Sequence, residues 1–253
     1  MLIQITNTCM MGCPHCLQDS TPISQHMTWE NVLKAHEFAR KSDTYVILIS
    51  GGEPTEHPKF KEIVELFLDF PKVVIVSNGQ WKNNEQKVAD IEQLMLHENV
   101  MLQITSIQGI YPEIVDVNWF NRFPNTLIHT GEIHIKALGR AATNEKFSRM
   151  AAEDKYTMSC LSAAVMCAQL PYQEAVKTME LRGKFCHPLI DFKGYLHWSE
   201  SCLCPSFGNV NEDFETLKVK AEKWRPCCKC ADYKKLLQKD EMSYKMVRKL
   251  LNI

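Results

Sequence analysis

Short apolar runs alternate with amphipathic segments along the first 140 residues. Four of the apolar runs are β-rich and bounded by turn-forming residues, which is typical of strands: Leu2–Thr6, Tyr45–Ser50, Val73–Ser77 and Val100–Ile107. Thr126–Lys136 supplies one or two further strands, interrupted near Gly131.

Helical patterns fill the segments between these strands. Thr28 can cap a helix over about Trp29–Lys41, and apolar residues recur at helical spacing along 60–68 and 88–95. Strands that alternate with helices in this way are typical of a parallel sheet covered by helices. Because five or six such units are too few for an eight-fold barrel, we expect an α/β fold with a partial (β/α)6 TIM-like barrel.

A different pattern begins after Gly139. Residues 143–157 are polar and predict no clear element. Two helices separated by a proline follow, over Met158–Leu170 and Tyr172–Leu181. A β-hairpin is then expected, with a turn and two strands at Phe192–Gly194, Pro188–Asp191 and Tyr195–Ser199. A lysine-rich helix closes the chain from about Ala231.

This change of pattern predicts three units along the chain. We expect the partial barrel over residues 1–157, a helical connector over 158–183, and a small C-terminal domain of hairpin plus helix over 184–253.

Composition narrows the class of protein. The net charge of −1 gives no reason to expect nucleic-acid binding, and no apolar run is long enough to cross a membrane. We expect no signal peptide, because the first strand already begins at Leu2. A cytoplasmic protein is therefore predicted.

The eleven cysteines are unusual for such a chain and are clustered. Three lie at 9–16 and six at 186–230, and only Cys160 and Cys167 lie between them. Clustered cysteines in an intracellular chain favour metal or iron–sulfur binding over disulfides.

The first three cysteines share one short loop directly after the first strand: Cys9, Cys13 and Cys16. Three thiolates can hold one cube of iron and sulfide, and because the cube has four irons, one iron stays free to chelate a small molecule. The alternative is a zinc site that adds His15 or His26, although a structural zinc normally takes a second ligand pair nearby.

The Cys-x3-Cys-x2-Cys spacing resembles that of the radical S-adenosylmethionine (SAM) superfamily. Gly51-Gly52-Glu53-Pro54, directly after the second strand, resembles its GGEP motif, for which a plain strand-to-helix turn is the alternative. The resemblance implies a [4Fe–4S] cluster whose free iron chelates the amino and carboxylate groups of SAM. It also implies that one electron breaks a carbon–sulfur bond, and that the resulting 5′-deoxyadenosyl radical removes a hydrogen atom from the substrate.

The same resemblance implies where SAM binds. The residue before the last cysteine lies beside the adenine, and Glu53 or adjacent carbonyls accept from the ammonium group. Ser77-Asn78-Gly79 resembles the strand end that meets the ribose or the substrate. Strand alternation places Gln103 and Thr105 on one face of the fourth strand and Ser106 on the other. One of these two faces points into the barrel. The predicted set is His15, Gly51, Gly52, Glu53, Pro54, Ser77, Asn78, Gln103, Thr105 and Ser106.

No acid–base pair follows from the sequence. His134, Lys136 and Arg140 lie near a predicted strand end and are candidates. The sequence Gly139-Arg140-Ala141 resembles a motif of family members with extra clusters. Arg140 can hold a carboxylate or lie on the surface. Four spare cysteines are candidates for returning a hydrogen atom to the substrate: Cys160, Cys167, Cys202 and Cys228. Buried helix positions are the preferred interpretation of the first two.

The C-terminal cysteines resemble those of the SPASM/twitch extension, in which a hairpin, a helix and a later Cys-x2-Cys enclose one auxiliary [4Fe–4S] cluster. The resemblance implies the ligands Cys186, Cys204, Cys227 and Cys230. Cys202 can replace Cys204, and Cys228 can replace Cys227. A zinc ribbon with four cysteine ligands is the alternative, since four thiolates suit either metal site.

The resemblance implies an enzyme that modifies a peptide by oxidation, crosslinking or epimerisation. The alternatives are a radical dehydrogenase or rearrangement enzyme acting on an amino sugar or cyclitol, and a degenerate iron–sulfur scaffold or sensor. An electron donor such as flavodoxin or ferredoxin is implied. Because the first strand begins at Leu2, any leader-binding domain is expected to be a separate protein.

Overall fold

Five strands pair in parallel, each with the strand before it in the chain: β1 (Leu2–Thr6), β2 (Val46–Gly51), β3 (Lys72–Ser77), β4 (Val100–Thr105) and β5 (Thr126–His129). This computed structural model describes residues 1–131, 135, 139–153, 172–173, 189–197, 206–223, 241–242 and 245. The first four strands are confirmed within two residues at each end. The largest difference is at β4, which ends at Thr105 rather than Ile107.

Three short strands extend this sheet beyond β1: β6 (Leu189–Ile190), β7 (Tyr195–His197) and β8 (Gly208–Asn209). β6 pairs in parallel with β1, and β7 and β8 follow antiparallel, giving one eight-stranded sheet in the order β5-β4-β3-β2-β1-β6-β7-β8. The predicted hairpin is therefore present and is joined to the barrel strands through β1. The α/β class and the mostly parallel sheet are confirmed, while the domain boundaries remain a prediction.

Six α-helices lie in the described residues: α1 (Trp29–Lys41), α2 (Phe60–Leu66), α3 (Glu85–Leu94), α4 (Arg140–Thr143), α5 (Glu145–Glu153) and α6 (Phe214–Lys223). Short 3-10 helices occupy Pro54–Glu56, Phe67–Asp69, Gln80–Asn83 and Val117–Arg122. The Thr28 cap of α1 is confirmed, since its side chain accepts from the Asn31 amide. None of these six helices is long and apolar enough to cross a lipid bilayer.

Helix α5 corrects the expectation that residues 143–157 hold no clear element. Asn144 begins the helix by accepting a hydrogen bond from the Phe147 amide at 3.2 Å. Phe147 is buried in a small cluster with Ile135 and Ala141. Met150 packs against the same cluster, while Glu145, Lys146 and Arg149 are exposed. The polar composition therefore conceals a narrow apolar face.

The core lies between the sheet and the helices. The fully buried strand side chains there include Ile3, Ile5, Ile47, Ile49, Ile75, Leu102 and Ile104. They belong to one cluster with helix residues that include Val32, Ala35, Ile63, Phe67, Ile91 and Leu94. Each buried aliphatic side chain of this size contributes about 1.5–3 kcal/mol. Because β1 to β5 pair in parallel, their carboxyl ends meet at one edge of the sheet, and this packing holds them there.

The two helices predicted over 158–181 and the closing helix from Ala231 lie almost entirely outside the described residues.

Candidate functional site

A cavity of about 340 Å³ opens at the carboxyl ends of the strands. The loop after β1 forms one wall and the ends of β2, β3 and β4 form another. Its lining includes Cys9, Cys13, His15, Cys16, Gly51, Gly52, Ser77, Asn78, Thr105, Tyr111, Ile135 and Arg140. Nine of the residues predicted for the first cluster and for SAM therefore share one cavity.

The three cysteines of the first loop are free thiols. Cys9 and Cys13 are buried, and Cys16 is partly exposed. Burial raises the pKa of Cys13 to about 12, and the neighbouring cysteines act in the same direction. Burial likewise raises the pKa of Cys9. Since a thiolate is the ligand that a metal takes, such thiols ionise when bound iron compensates their charge.

The donor set of this loop fits an iron–sulfur cluster. Thiolates are the ligands that iron–sulfur clusters take. Thr8, directly before Cys9, carries the one buried side-chain polar atom without a hydrogen-bond partner among the described residues. His15 and His26, considered for zinc, each have a ring nitrogen in contact with another group: Nδ1 of His15 with the Ile110 carbonyl at 3.1 Å, and Nδ1 of His26 with the Thr6 hydroxyl at 2.8 Å. Within the described residues, no three cysteine, histidine or acidic groups are arranged to hold a single metal ion.

The two glycines at the end of β2 lie against the backbone that leads into the loop carrying Cys9, Cys13 and Cys16, the cluster loop. The Gly52 amide donates to the Thr6 carbonyl at 2.8 Å, and the Glu53 amide donates to the Thr8 carbonyl at 2.9 Å. A Cβ atom on Gly52 would lie 2.4 Å from the Thr8 carbonyl oxygen, so only glycine fits. The two glycines thus allow the end of β2 to approach this backbone closely, and both also line the cavity.

Glu53 lies behind the cavity wall, with only 1% of its surface exposed. Its carboxylate accepts hydrogen bonds from the Thr55 amide and hydroxyl, from the Ser77 hydroxyl at 2.9 Å, and from the Asn78 amide at 2.9 Å. Burial raises the pKa of Glu53, while these donors act in the opposite direction. The carboxylate thus joins the end of β2 to the end of β3, and Pro54 begins the buried 3-10 helix beside it.

The end of β3 is held by a short network. Ser77 also accepts from the Trp81 indole at 2.8 Å, and Asn78 accepts from the Gln80 amide at 2.9 Å. The amide group of Asn78 lies 3.6 Å from the Cys9 sulfur. Ser77 and Asn78 are consequently fixed in the cavity wall between the second and fourth strands.

The structure identifies the inner face of β4. Thr105 lines the cavity, and Gln103 lies on the same face of the strand and is partly buried. Ser106 lies on the other side, where its hydroxyl accepts from the Val115 amide at 3.3 Å. Of the three predicted polar residues, Thr105 and Gln103 therefore belong to the cavity face and Ser106 supports the following loop.

His15 and Tyr111 line the cavity and form an aromatic cluster with Phe147. The His15 ring lies 4.8 Å from that of Tyr111 and 5.6 Å from that of Phe147, measured between centroids. Burial lowers the pKa of His15 and raises the pKa of Tyr111, so both rings are neutral near pH 7. Sequence reasoning missed Tyr111 and Phe147, because neither belongs to a motif.

Arg140 and Gly139 hold the cluster loop from outside. The Arg140 guanidinium donates to the Cys13 carbonyl at 2.9 Å, to the Ser20 carbonyl at 2.6 Å and to the Asp19 carboxylate at 3.1 Å. Gly139 has φ +51°, and a Cβ there would lie 2.5 Å from the Cys16 carbonyl oxygen. Arg140 also lines the cavity, and the carboxylate that it binds within the described residues is that of Asp19.

The remaining predicted site residues lie outside the described residues. They are His134, Lys136, Cys160, Cys167, Cys186, Cys202, Cys204, Cys227, Cys228 and Cys230.

A family model, Radical SAM superfamily, matches residues 3–144, which is more than half of the 253-residue chain. The chain belongs to the radical SAM superfamily. Membership implies an enzyme that uses a [4Fe–4S] cluster and SAM. The matched residues contain the cluster loop, the ends of β2 to β4, Tyr111 and Arg140, so the family assignment and the cavity coincide in the sequence.

Three solved structures share the fold of this radical SAM chain. BtrN in complex with AdoMet and 2-DOIA has a TM-score of 0.58 at 11% identity and covers 94% of this chain and 86% of its own. SuiB from Streptococcus suis bound to precursor peptide SuiA has a TM-score of 0.54 at 11% identity, and the match covers 91% of this chain and 68% of SuiB. Native anSMEcpe with bound AdoMet and Cp18Cys peptide has a TM-score of 0.51 at 13% identity, and the match covers 95% of this chain and 83% of anSMEcpe. The partial barrel is confirmed; comparison with curated protein sequences finds no match.

Proposed function

We propose that this radical SAM enzyme cleaves SAM reductively at a cluster held by Cys9, Cys13 and Cys16, and that the product radical removes a hydrogen atom from a peptide substrate. The observation that carries the proposal is the shared cavity. Three buried or partly buried thiols, the glycine end of β2 and the polar ends of β3 and β4 face the same space. When bound, the cluster supplies the electron that breaks a carbon–sulfur bond of SAM, yielding methionine and a 5′-deoxyadenosyl radical.

The chain's own residues would orient SAM from three sides. The backbone at Gly51 and Gly52 would accept from the ammonium group of the methionine part, because the Glu53 carboxylate is already occupied by four donor groups. Ser77, Asn78, Gln103 and Thr105 would face the ribose or the substrate. His15, with Tyr111 and Phe147 behind it, offers a neutral aromatic surface for the adenine.

We further propose an auxiliary [4Fe–4S] cluster on Cys186, Cys204, Cys227 and Cys230, with Cys202 and Cys228 as alternative ligands. The support is the order of elements: the β6–β7 hairpin follows Cys186 in the chain, and α6 lies between Cys204 and Cys227. The resemblance to the twitch extension requires a hairpin followed by a helix in that place. Such a cluster would accept an electron from a substrate radical or ligate the substrate.

The peptide proposal is supported by two compared structures, which bind Cp18Cys peptide and precursor peptide SuiA. A small metabolite is the second candidate. BtrN binds 2-DOIA, and the structural match to it covers 94% of this chain and 86% of BtrN. A flavodoxin or ferredoxin is proposed as the electron donor. A separate leader-binding protein is proposed to accompany a peptide substrate.

Iron content tests the two-cluster proposal. Anaerobically reconstituted protein should bind about eight irons per chain, four for each cluster. Replacing Cys186, Cys204, Cys227 and Cys230 together by alanine should leave about four irons, on the first loop. Four irons in the unsubstituted protein would remove the auxiliary cluster. Loss of all iron from a folded quadruple variant would contradict the assignment of two separate sites.

Deuterium transfer tests the substrate class. Peptide and small-molecule fractions from cells grown in deuterated medium would each be incubated with the reduced enzyme and unlabelled SAM. Abstraction from a labelled substrate places deuterium in 5′-deoxyadenosine, so mass spectrometry shows which fraction contains the substrate. Deuterium from the peptide fraction alone supports the peptide proposal, and deuterium from the metabolite fraction alone supports the second candidate.

A further inference from the structure

The side chain of Asn78 reaches from the end of β3 to a cysteine of the cluster loop. Its Nδ2 atom lies 3.6 Å from the sulfur of Cys9, 69 positions earlier in the chain. Amide donors to sulfur have longer donor–acceptor distances than amide donors to oxygen, because sulfur is the larger atom. The pair is partly buried, which strengthens a hydrogen bond to a charged acceptor.

Two further hydrogen bonds fix the direction in which the Asn78 amide points. The Gln80 backbone donates to Oδ1 of Asn78 at 2.9 Å, so the oxygen side of the amide is taken. The backbone amide of Asn78 donates to the Glu53 carboxylate at 2.9 Å, which anchors the residue itself. A flipped amide would turn its NH2 group toward the Gln80 N–H, where two donors would meet. The NH2 group therefore faces the Cys9 sulfur.

Asn78 differs in kind from the other donors around the thiols. Cys16 accepts from the Ser20 backbone at 3.4 Å, and the Met11 backbone donates toward Cys9. Those are main-chain N–H groups, which any residue other than proline at the same position would supply. Asn78 is a side-chain donor, so its contribution depends on the residue at that position and can be removed by substitution.

Hydrogen bonds to the sulfurs are one of the factors that set the reduction potential of an iron–sulfur cluster. A donor stabilises the reduced form more than the oxidised form, because reduction adds negative charge to the cluster and its ligands. We propose that Asn78 raises the reduction potential of the cluster held by Cys9, Cys13 and Cys16, by donating its side-chain amide to the Cys9 thiolate. Asn78 is then a residue that tunes the electron-transfer step, in addition to any contact with SAM. This inference rests on the proposed cluster at the first loop.

Two substitutions at Asn78 separate the roles of the amide. Asn78→Ala removes the donor. Asn78→Asp keeps the shape and the acceptor for the Gln80 amide, but places a carboxylate oxygen against the thiolate. The midpoint potential should therefore fall in the order wild type, Asn78→Ala, Asn78→Asp. Asn84→Ala is the matched control, because the Asn84 side chain also accepts from a backbone amide, that of Lys87, but does not line the cavity.

The experiment is a redox titration of the full-length, anaerobically reconstituted protein without SAM, followed by electron paramagnetic resonance. At the wild-type midpoint potential, the ratio of reduced to oxidised first-loop cluster should fall on the order of tenfold in Asn78→Ala, equivalent to about 59 mV for one electron. It should fall further in Asn78→Asp and stay unchanged in Asn84→Ala.

An unchanged midpoint in both Asn78 variants would overturn the inference, as would a higher midpoint in Asn78→Asp. Loss of iron from both variants would also overturn it, because Asn78 would then be required to hold the loop. A wild-type protein that binds no cluster at the first loop would instead contradict the proposed function.

Discussion

Arg140 donates its Nε proton to the carbonyl oxygen of Cys13 at 2.9 Å, across 127 positions of the chain. The same guanidinium also bonds to Ser20 and Asp19, so it bridges the loop on both sides of Cys16. The loop is thereby held in shape by the protein, which reduces the ordering that cluster binding has to supply. The charge of Arg140 also favours ionisation of the Cys13 thiol, opposing the effect of burial on its pKa.

Arg140→Gln should weaken retention of the first cluster. Each hydrogen bond from a charged donor contributes about 1.5–3 kcal/mol, so we expect iron release to an added chelator to become on the order of tenfold faster. The measurement should use the variant without Cys186, Cys204, Cys227 and Cys230 as background, so that only the first loop is followed. Arg122→Gln is the control, because Arg122 pairs with Glu92 at the surface. Equal release rates in the two variants would contradict the prediction.

Gly52→Ala should destabilise the fold. The new Cβ would lie 2.4 Å from the Thr8 carbonyl oxygen. Neither atom can turn aside, because the oxygen is a backbone atom and the backbone fixes the position of a Cβ. Overpacking of this kind costs about 1–3 kcal/mol, which is roughly 2–12 °C in apparent melting temperature for a chain of this size. Gly131→Ala is the matched control, since nothing lies within 4 Å of a Cβ at that position. A melting temperature equal to that of the control would show that the two strand ends can separate without cost.

Glu53→Gln should lower stability although it keeps the size of the side chain. Every partner of the carboxylate is a donor, so the glutamine NH2 group would face another donor, and one buried hydrogen bond to a charged group would be lost. We expect the unfolding free energy to fall by about 1.5–3 kcal/mol. Glu30→Gln on the exposed side of α1 serves as the control. The prediction fails if thermal unfolding of the two variants coincides.

His57 should make the protein sensitive to acid. The Lys59 amide donates to Nδ1 of His57 at 3.0 Å, so Nδ1 is unprotonated and Nε2 donates to the Met27 carbonyl at 3.0 Å. Burial lowers the pKa of the folded residue, whereas the unfolded residue keeps a pKa of about 6.5. Below about pH 6.5 the unfolded chain binds a proton that the folded chain does not, so stability falls with pH, by at most about 1.4 kcal/mol per unit.

The test compares apparent melting temperatures at pH 7.5 and pH 5.5. His57→Gln removes the titrating ring and should lose less of its melting temperature on acidification than the wild type does. His15 shifts in the same direction as His57 and is present in both proteins, so the difference isolates His57. An equal loss in both would show that His57 is not the group concerned.

Local patterns in the sequence predict the strands well, because each is an apolar run closed by turn residues, and the Thr28 cap marks the start of α1. The cysteine loop and the two glycines also identify the cavity. Contacts between distant residues are what the sequence does not reveal. Three such contacts depend on how the strands are placed side by side. They are the hydrogen bond from Arg140 to the Cys13 carbonyl, the hydrogen bonds from the end of β3 to the Glu53 carboxylate, and the contact of the Asn78 amide with the Cys9 sulfur. Tyr111 and Phe147 were missed for the same reason, since only folding brings them next to His15.

The most direct test of the account is the formation of 5′-deoxyadenosine from SAM by the reduced, anaerobically reconstituted protein. We predict that 5′-deoxyadenosine and methionine appear together in the wild type. The activity should disappear when Cys9, Cys13 and Cys16 are replaced by alanine in a protein that still folds. An iron-loaded wild type that forms no 5′-deoxyadenosine with any electron donor, or a triple variant that still forms it, would contradict the central claim.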